Sequence, residues 1–320
     1  MKTKTFQNIV EDFKRKKDKN KQAIHIHHLA IKQGDKSFIH SFTEENKAQD
    51  IRSISKSILT VVLGIVIKQA QGGRYPKIDE DSLIYPILKN TIQVTNQDNL
   101  AKLKRIKIKH LLTHTIGYED ILLMRGDIQS QDPYSLLNYT INYPILHEPG
   151  KHYLYSNAGF YLLSVLLEEF LQEDLMTFIK RELFQPLGIS SAHWEKYGNY
   201  LAGATRLWLT PQDLLAFGDL LINKGQVDHR QIVSQDWIEK MIQPYIHTKD
   251  VDNKGAIFRR HAYGYGIWLP KDPDFYFAHG TDGQILVLLP KKRTIILTQA
   301  EQEDITAIEE LINDVITSLK

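Results

Sequence analysis

Ser53 and Lys56 stand three residues apart in the stretch RSISKSILTVVLGIVI. A serine hydroxyl becomes a useful nucleophile only when a neighbouring base takes its proton. Lysine can be that base only where burial or nearby positive charge disfavours its ammonium form. On a helix, residues i and i+3 project from nearly one face. Of the serines at 53, 55 and 57, Ser53 alone has a lysine three residues later. The apolar run Ile58 to Ile67 supplies a dry wall for that lysine. Ser53 also falls at the predicted helix start, where backbone N–H groups are free and the dipole favours a developing oxyanion. One segment thus offers nucleophile, base and half an oxyanion hole. The same pattern also fits a plain helix start, with Ser53 as cap and Lys56 reaching to water.

Two later stretches bear on the choice. HYLYSNAGFYLL places Tyr155 and Asn157 two apart, just ahead of a helical run. FYFAHGTDGQILVLLP places His279, Gly280 and Thr281 at a strand end, where Gly280 and Gly283 let a ligand approach the backbone closely. Alone, each stretch fits core packing or ordinary hydrogen bonding. In this order they resemble the S-x-x-K, S-D-N and K-T-G elements of β-lactamases and penicillin-binding proteins, with Tyr155-Ser156-Asn157 in the second place. That Y-x-N element resembles the class C β-lactamases and their relatives. Those relatives include D-alanyl-D-alanine carboxypeptidases, D-amino-acid amidases, family VIII esterases and 6-aminohexanoate-dimer hydrolases. IKHLLTHTIGYED resembles the family's L-L-T-H-T-S-G segment, and GATRLWLTPQDLLAFGDLLINKGQ resembles its G-x-x-x-T-x-x-D-L-x-x-F-G-x-L helix. The likeness runs from about Ser53 to Thr298.

The resemblance implies roles. Ser53 would form an acyl-enzyme, Lys56 and Tyr155 would share the base work, and Tyr155 would pass a proton to the leaving group. Asn157 would orient Lys56 and the substrate amide. The N–H groups of Ser53 and Thr281 would hold the oxyanion. The third element departs from the pattern, because His279-Gly280-Thr281 stands where K-T-G would. A neutral or half-charged histidine holds an anion less firmly than lysine does. The departure favours an esterase or amidase acting on a less anionic substrate, with β-lactamase and carboxypeptidase activity still open. The rival from another class is a barely catalytic penicillin-binding or scaffold relative.

The elements that must position these residues run helix, strands, a long helical middle, strands, helix. Residues 5–17 carry Phe6, Ile9, Val10 and Phe13 at helical spacing. Residues 23–42 predict two strands turning at Gln33-Gly34-Asp35. Ser53 to Gln69 predicts a buried helix ended by Gly72-Gly73. Further helices are predicted over 158–171, 175–183 and 211–222, the last with Thr210 as N-cap and Pro211 at N1. After about 260, YGYGIWL, FYFAHG, QILVLLP and RTIILTQA predict strands, and 305–319 a closing helix. Strands at both ends would join one sheet, since neither pair alone is stable. The expected architecture is α/β (α+β) and β-lactamase-like. An antiparallel sheet lobe (1–72 and 246–320), flanked by the N- and C-terminal helices, carries an inserted helical lobe (73–245), with the site in the cleft between them.

Composition bounds the rest. The 320 residues carry 42% hydrophobic and 24% charged side chains, which suits a folded globular chain. A formal net charge of +2 gives no reason to expect a nucleic-acid groove. The chain has no cysteine, which excludes disulfides, thiolate metal ligands and a cysteine nucleophile. His25, His27 and His28 read as a solvated strand face rather than a metal set, and neither metal nor cofactor is expected. KRKKDK at 14–19 reads as a solvated helix end. His114 reads as a hydrogen-bonding residue at a helix end, and Arg206 as either a cleft residue or a loop brace. The expected partner is a small-molecule or peptide-like substrate, with no nucleic acid and no membrane span; oligomeric state stays open. No apolar leader opens the chain, so a cytoplasmic location is expected if it is complete, and an extracellular or envelope one if a leader precedes it.

Overall fold

The computed structural model describes residues 1–248, 259–271 and 274–319. Helix α1 (Thr3–Arg15) leads into strands β1 (Ile26–Gln33) and β2 (Lys36–Ser41). The long core helix α2 (Ser55–Gln71) follows a 3-10 turn at Arg52–Ile54. Helices α3 (Ala158–Leu171) and α4 (Pro211–Ile222) are the longest of the stretch from 72 to 245. Six strands then follow: β3 (Ile246–His247), β4 (Ala262–Tyr263), β5 (Trp268–Leu269), β6 (Tyr276–Gly280), β7 (Gln284–Leu289) and β8 (Thr294–Ala300). Helix α5 (Thr306–Ser318) closes the fold.

The strands form one eight-stranded antiparallel sheet in the order β3-β4-β5-β6-β7-β8-β1-β2. Early and late parts of the chain meet at the β8–β1 ladder, where Ala30 faces Leu297 and Leu29 faces Thr298. Strand periodicity then sorts the side chains between two layers. Leu29, Ile31, Ile285, Val287 and Ile296 point toward Phe6, Val10 and Phe13 of α1 and Ile308, Ile312 and Val315 of α5. Ala30, Leu286, Leu288, Ile295 and Leu297 point to the opposite layer, with α2, α3 and α4. Both faces are covered, which is why QILVLLP and RTIILTQA read as continuous apolar runs rather than alternating ones.

Local signals explain several element ends. Thr210 Oγ1 accepts from Asp213 N at 3.2 Å and the Asp213 carboxylate accepts from Thr210 N at 2.9 Å, a reciprocal cap that starts α4. Helix α2 ends at Gly72. The stretch 52–71 has the length and hydropathy of a membrane span, yet 83% of that window is buried inside the protein.

Three expectations need correction. YGYGIWL is not one strand but two, β4 and β5, joined by a turn in which Gly266 has φ +73°. The helix from Leu175 gives way after Ile179 to a π-helical turn, Lys180–Phe184. His28 does not lie on a solvated face. A register shift between Ile26 and His28 turns its ring inward, where it bonds Ser41 Oγ and Lys47 O at 3.0 Å each.

Candidate active site

The turn before α2 presents Ser53 to solvent and withdraws its neighbours. Ser55 and Ser57 are fully buried; Ser55 Oγ donates to Arg52 O at 2.6 Å and Ser57 Oγ to Gly266 O. Ser53 is partly exposed and lines a cavity of about 550 Å³ with Arg125, Asn157, Arg206, Thr281 and Asp282. The turn is held open by Asp50. Its carboxylate accepts from Arg52 N at 2.9 Å, Arg52 Nη1 at 2.7 Å and Arg206 N at 3.1 Å. Those bonds sustain the left-handed conformations of Arg52 (φ +52°) and Arg206 (φ +65°).

Lys56 lies wholly inside. Its Nζ is 2.9 Å from Ser53 Oγ, 2.8 Å from Asn157 Oδ1 and 3.2 Å from Ala204 O. Among the described residues no carboxylate pairs with it, so burial acts unopposed and brings its pKa from 10.5 down to about 7. Near neutral pH a good share of this amine is therefore unprotonated and able to accept a proton.

Tyr155 packs above the lysine, its ring centroid 5.0 Å from Nζ. Burial raises the phenol's pKa, while the nearby Ser53 hydroxyl and the charge of Arg260 pull the other way. The net direction keeps Tyr155 a protonated phenol. Its ring is set by His114 (4.4 Å between centroids) and Trp268 (5.5 Å, nearly parallel). His114 is buried and held neutral by desolvation and by Lys56, and its Nδ1 accepts from Ser156 N at 3.5 Å. It is thus more than a helix-end residue, because it forms the floor under Tyr155. Asn157 accepts from Lys56 but spends its Nδ2 on Leu123 O at 2.8 Å.

Gly280 ends β6 against the Ser53 turn. A Cβ there would lie 2.7 Å from both Ile51 O and Arg52 Cβ, so only glycine permits this approach. The approach brings Thr281 to the cavity that Ser53 also lines. Asp282 follows with φ +65°, and its carboxylate pairs with Arg52 and Arg125 at 3.2 Å each. His279 is held neutral by burial and by Arg260. Arg260 Nη2 lies 3.2 and 3.3 Å from the two ring nitrogens. A cation thus stands at the third element after all, delivered from the chain just ahead of β4.

A solvent-facing serine within hydrogen-bond reach of a buried lysine, with a phenol packed over that lysine, is an arrangement that could activate a nucleophile without a histidine. Residues 42–311 match the sequence model of the beta-lactamase family, and the chain belongs to that family. It is 27% identical over 182 residues to penicillin-binding protein 4* of Bacillus subtilis, a match spanning 51% of this chain and 36% of that protein. Solved structures share the fold at low identity. A penicillin-binding protein from Bacillus halodurans aligns at TM-score 0.70 and 17% identity, over 98% of this chain and 99% of that one. A Bacteroides dorei protein provisionally assigned as a beta-lactamase aligns at 0.76 and 14%, over 99% and 98%. A Mycobacterium bovis beta-lactamase aligns at 0.64 and 14%, over 92% and 96%. The family is one of hydrolases, and its fold is the one found here.

Proposed function

We propose that the protein hydrolyses an ester or amide through an acyl-Ser53 intermediate. The observation that carries this reading is the 2.9 Å contact between Ser53 Oγ and a fully buried Lys56 whose pKa falls to about 7. Neutral Lys56 takes the hydroxyl proton as Oγ bonds the carbonyl carbon. The carbonyl oxygen becomes an oxyanion, held by the N–H groups of Ser53 and Thr281. As the scissile bond breaks, the leaving group takes the phenol proton of Tyr155, which regains one from the Lys56 ammonium. Water then enters, loses its proton to the same relay, and releases the acid from Ser53. The raised pKa of Tyr155 and the lowered one of Lys56 support giving the phenol the relay and the amine the larger part of the base work.

Arg260 bears on the substrate. A guanidinium beside His279 offers a charged partner for a carboxylate at the β6 edge. β-Lactams and D-alanyl peptides, which carry such a carboxylate, therefore stand beside simple esters as substrates. The test is labelling with a fluorophosphonate or a fluorescent penicillin. Ser53→Ala should abolish covalent labelling, and labelling that persists would remove Ser53 from the scheme. A p-nitrophenyl ester should give a burst followed by steady turnover; a stoichiometric burst alone would mark a penicillin-binding scaffold instead.

A further inference from the structure

Glu119, His147 and His152 come together on the surface beyond the acyl-transfer site, with one ligating atom of each within 4.8 Å of the others. His147 Nε2 is 2.5 Å from Glu119 Oε2. The His147 and His152 rings stack at 4.0 Å between centroids and 20° between planes. The backbone beneath them is fixed. His147 N donates to Gly117 O at 3.0 Å, Gly150 N to Thr115 O at 2.7 Å and Leu154 N to His114 O at 3.0 Å, and Tyr118 pairs with Ile145. Gly117, at φ +109°, makes the closest approach, since a Cβ there would lie 2.3 Å from His147 O.

Two imidazoles and a carboxylate gathered at this distance are a ligand set that suits zinc. Tetrahedral zinc with bonds of about 2.0–2.1 Å wants its donor atoms roughly 3.4 Å apart. Side-chain rotation alone can close the gap, since Glu119 and His147 keep 54% and 39% of their side-chain surface exposed. Asp120 next door is engaged by the Tyr143 hydroxyl at 2.6 Å and adds no ligand.

We propose that Glu119, His147 and His152 form a zinc site, with water in the fourth position, that staples the segment 114–119 to the segment 145–154. The second segment runs straight into Tyr155, and the first begins with the His114 ring on which that phenol rests. The metal would act on the rigidity of this support and would not touch substrate.

The test uses the whole chain, stripped with a chelator and titrated with Zn²⁺ by calorimetry, and with Co²⁺ by visible absorption. One zinc per chain should bind with micromolar or tighter affinity, and cobalt should show the d–d bands of a four-coordinate nitrogen–oxygen site. Zinc should raise the melting temperature by a few degrees and slow hydrogen exchange across 145–154. Mg²⁺ and Ca²⁺ should do neither. His147→Ala and His152→Ala should each weaken zinc binding at least tenfold and erase the cobalt bands. If either fails to fold by circular dichroism, Glu119→Gln serves the same reading. Absence of stoichiometric zinc at hundreds of micromolar, or binding that survives these substitutions and so belongs to other histidines, would overturn the proposal.

Discussion

Arg260 and His279 are in direct contact: Nη2 of the arginine lies 3.2 and 3.3 Å from the ring nitrogens of the histidine, and the guanidinium stands 5.5 Å from the centroid of Trp268. The pairing places a permanent charge where the histidine, held neutral, has none. Replacing Arg260 by Met should raise KM for carboxylate-bearing substrates by about 10- to 100-fold, the worth of a charge-assisted hydrogen bond. A neutral p-nitrophenyl ester should lose little. Steady-state kinetics on the two substrate types reads this directly; equal losses on both would make Arg260 a structural brace.

The buried lysine predicts a pH signature. Burial lowers Lys56 from 10.5 to about 7 in the folded state. Between those values the unfolded chain holds a proton that the folded chain has released, so stability rises with pH across that window. Below about pH 7 the folded protein carries a buried ammonium at a cost. The acylation rate should climb with a midpoint near that same pH and level off above it. Lys56→Met should flatten both profiles, slow acylation by about 10²- to 10⁴-fold and leave the melting temperature unchanged or higher. Stopped-flow acylation and thermal melts across the range check the pair; a rate flat with pH in the parent protein would take the base role from Lys56.

Tyr155→Phe removes one oxygen and keeps the ring that His114 and Trp268 support. Turnover should fall by about 10²- to 10⁴-fold with little change in melting temperature. A kcat close to the parent's would assign the phenol to packing.

Gly280→Ala sets a methyl group 2.7 Å from Ile51 O, a backbone atom that can yield only by moving the Ser53 turn. The substitution should cost about 1–3 kcal/mol of stability. It should also lower acylation of the folded protein, because Thr281 moves away from Ser53. Denaturant titration and single-turnover rates separate the two effects. Normal acylation in the variant would detach the β6 edge from catalysis.

What could be read from the sequence was local or ordered along it. Ser53 and Lys56 are one helical turn apart, Tyr155 and Asn157 share a helix entrance, and Thr210 caps the helix it precedes. Each pairing follows from backbone geometry over a few residues. The joining of β1 to the late strands was also legible, because isolated hairpins have nowhere else to bury their apolar faces. The rest required three-dimensional adjacency. Arg260 meets His279 only because β4 and β5 fold back so that the chain ahead of β4 reaches β6. Asp50 bonds the backbone of Arg206, 156 positions away. A single register shift in β1 turned His28 inward and left no mark in its composition. Glu119, His147 and His152 gave no motif, since the close approach at Gly117 is what assembles them.

The sheet that completes the site draws its first strands from residues 26–41 and the others from 246–300. During translation, Ser53 and Lys56 leave the ribosome long before Gly280 and Thr281 exist. On the proposed mechanism, a nascent chain would carry Ser53 and Lys56 without the strand edge that would steady the oxyanion. Long-range closure of this kind is slow, and acylating power should switch on only at that last step, leaving stalled fragments inert toward acylating agents.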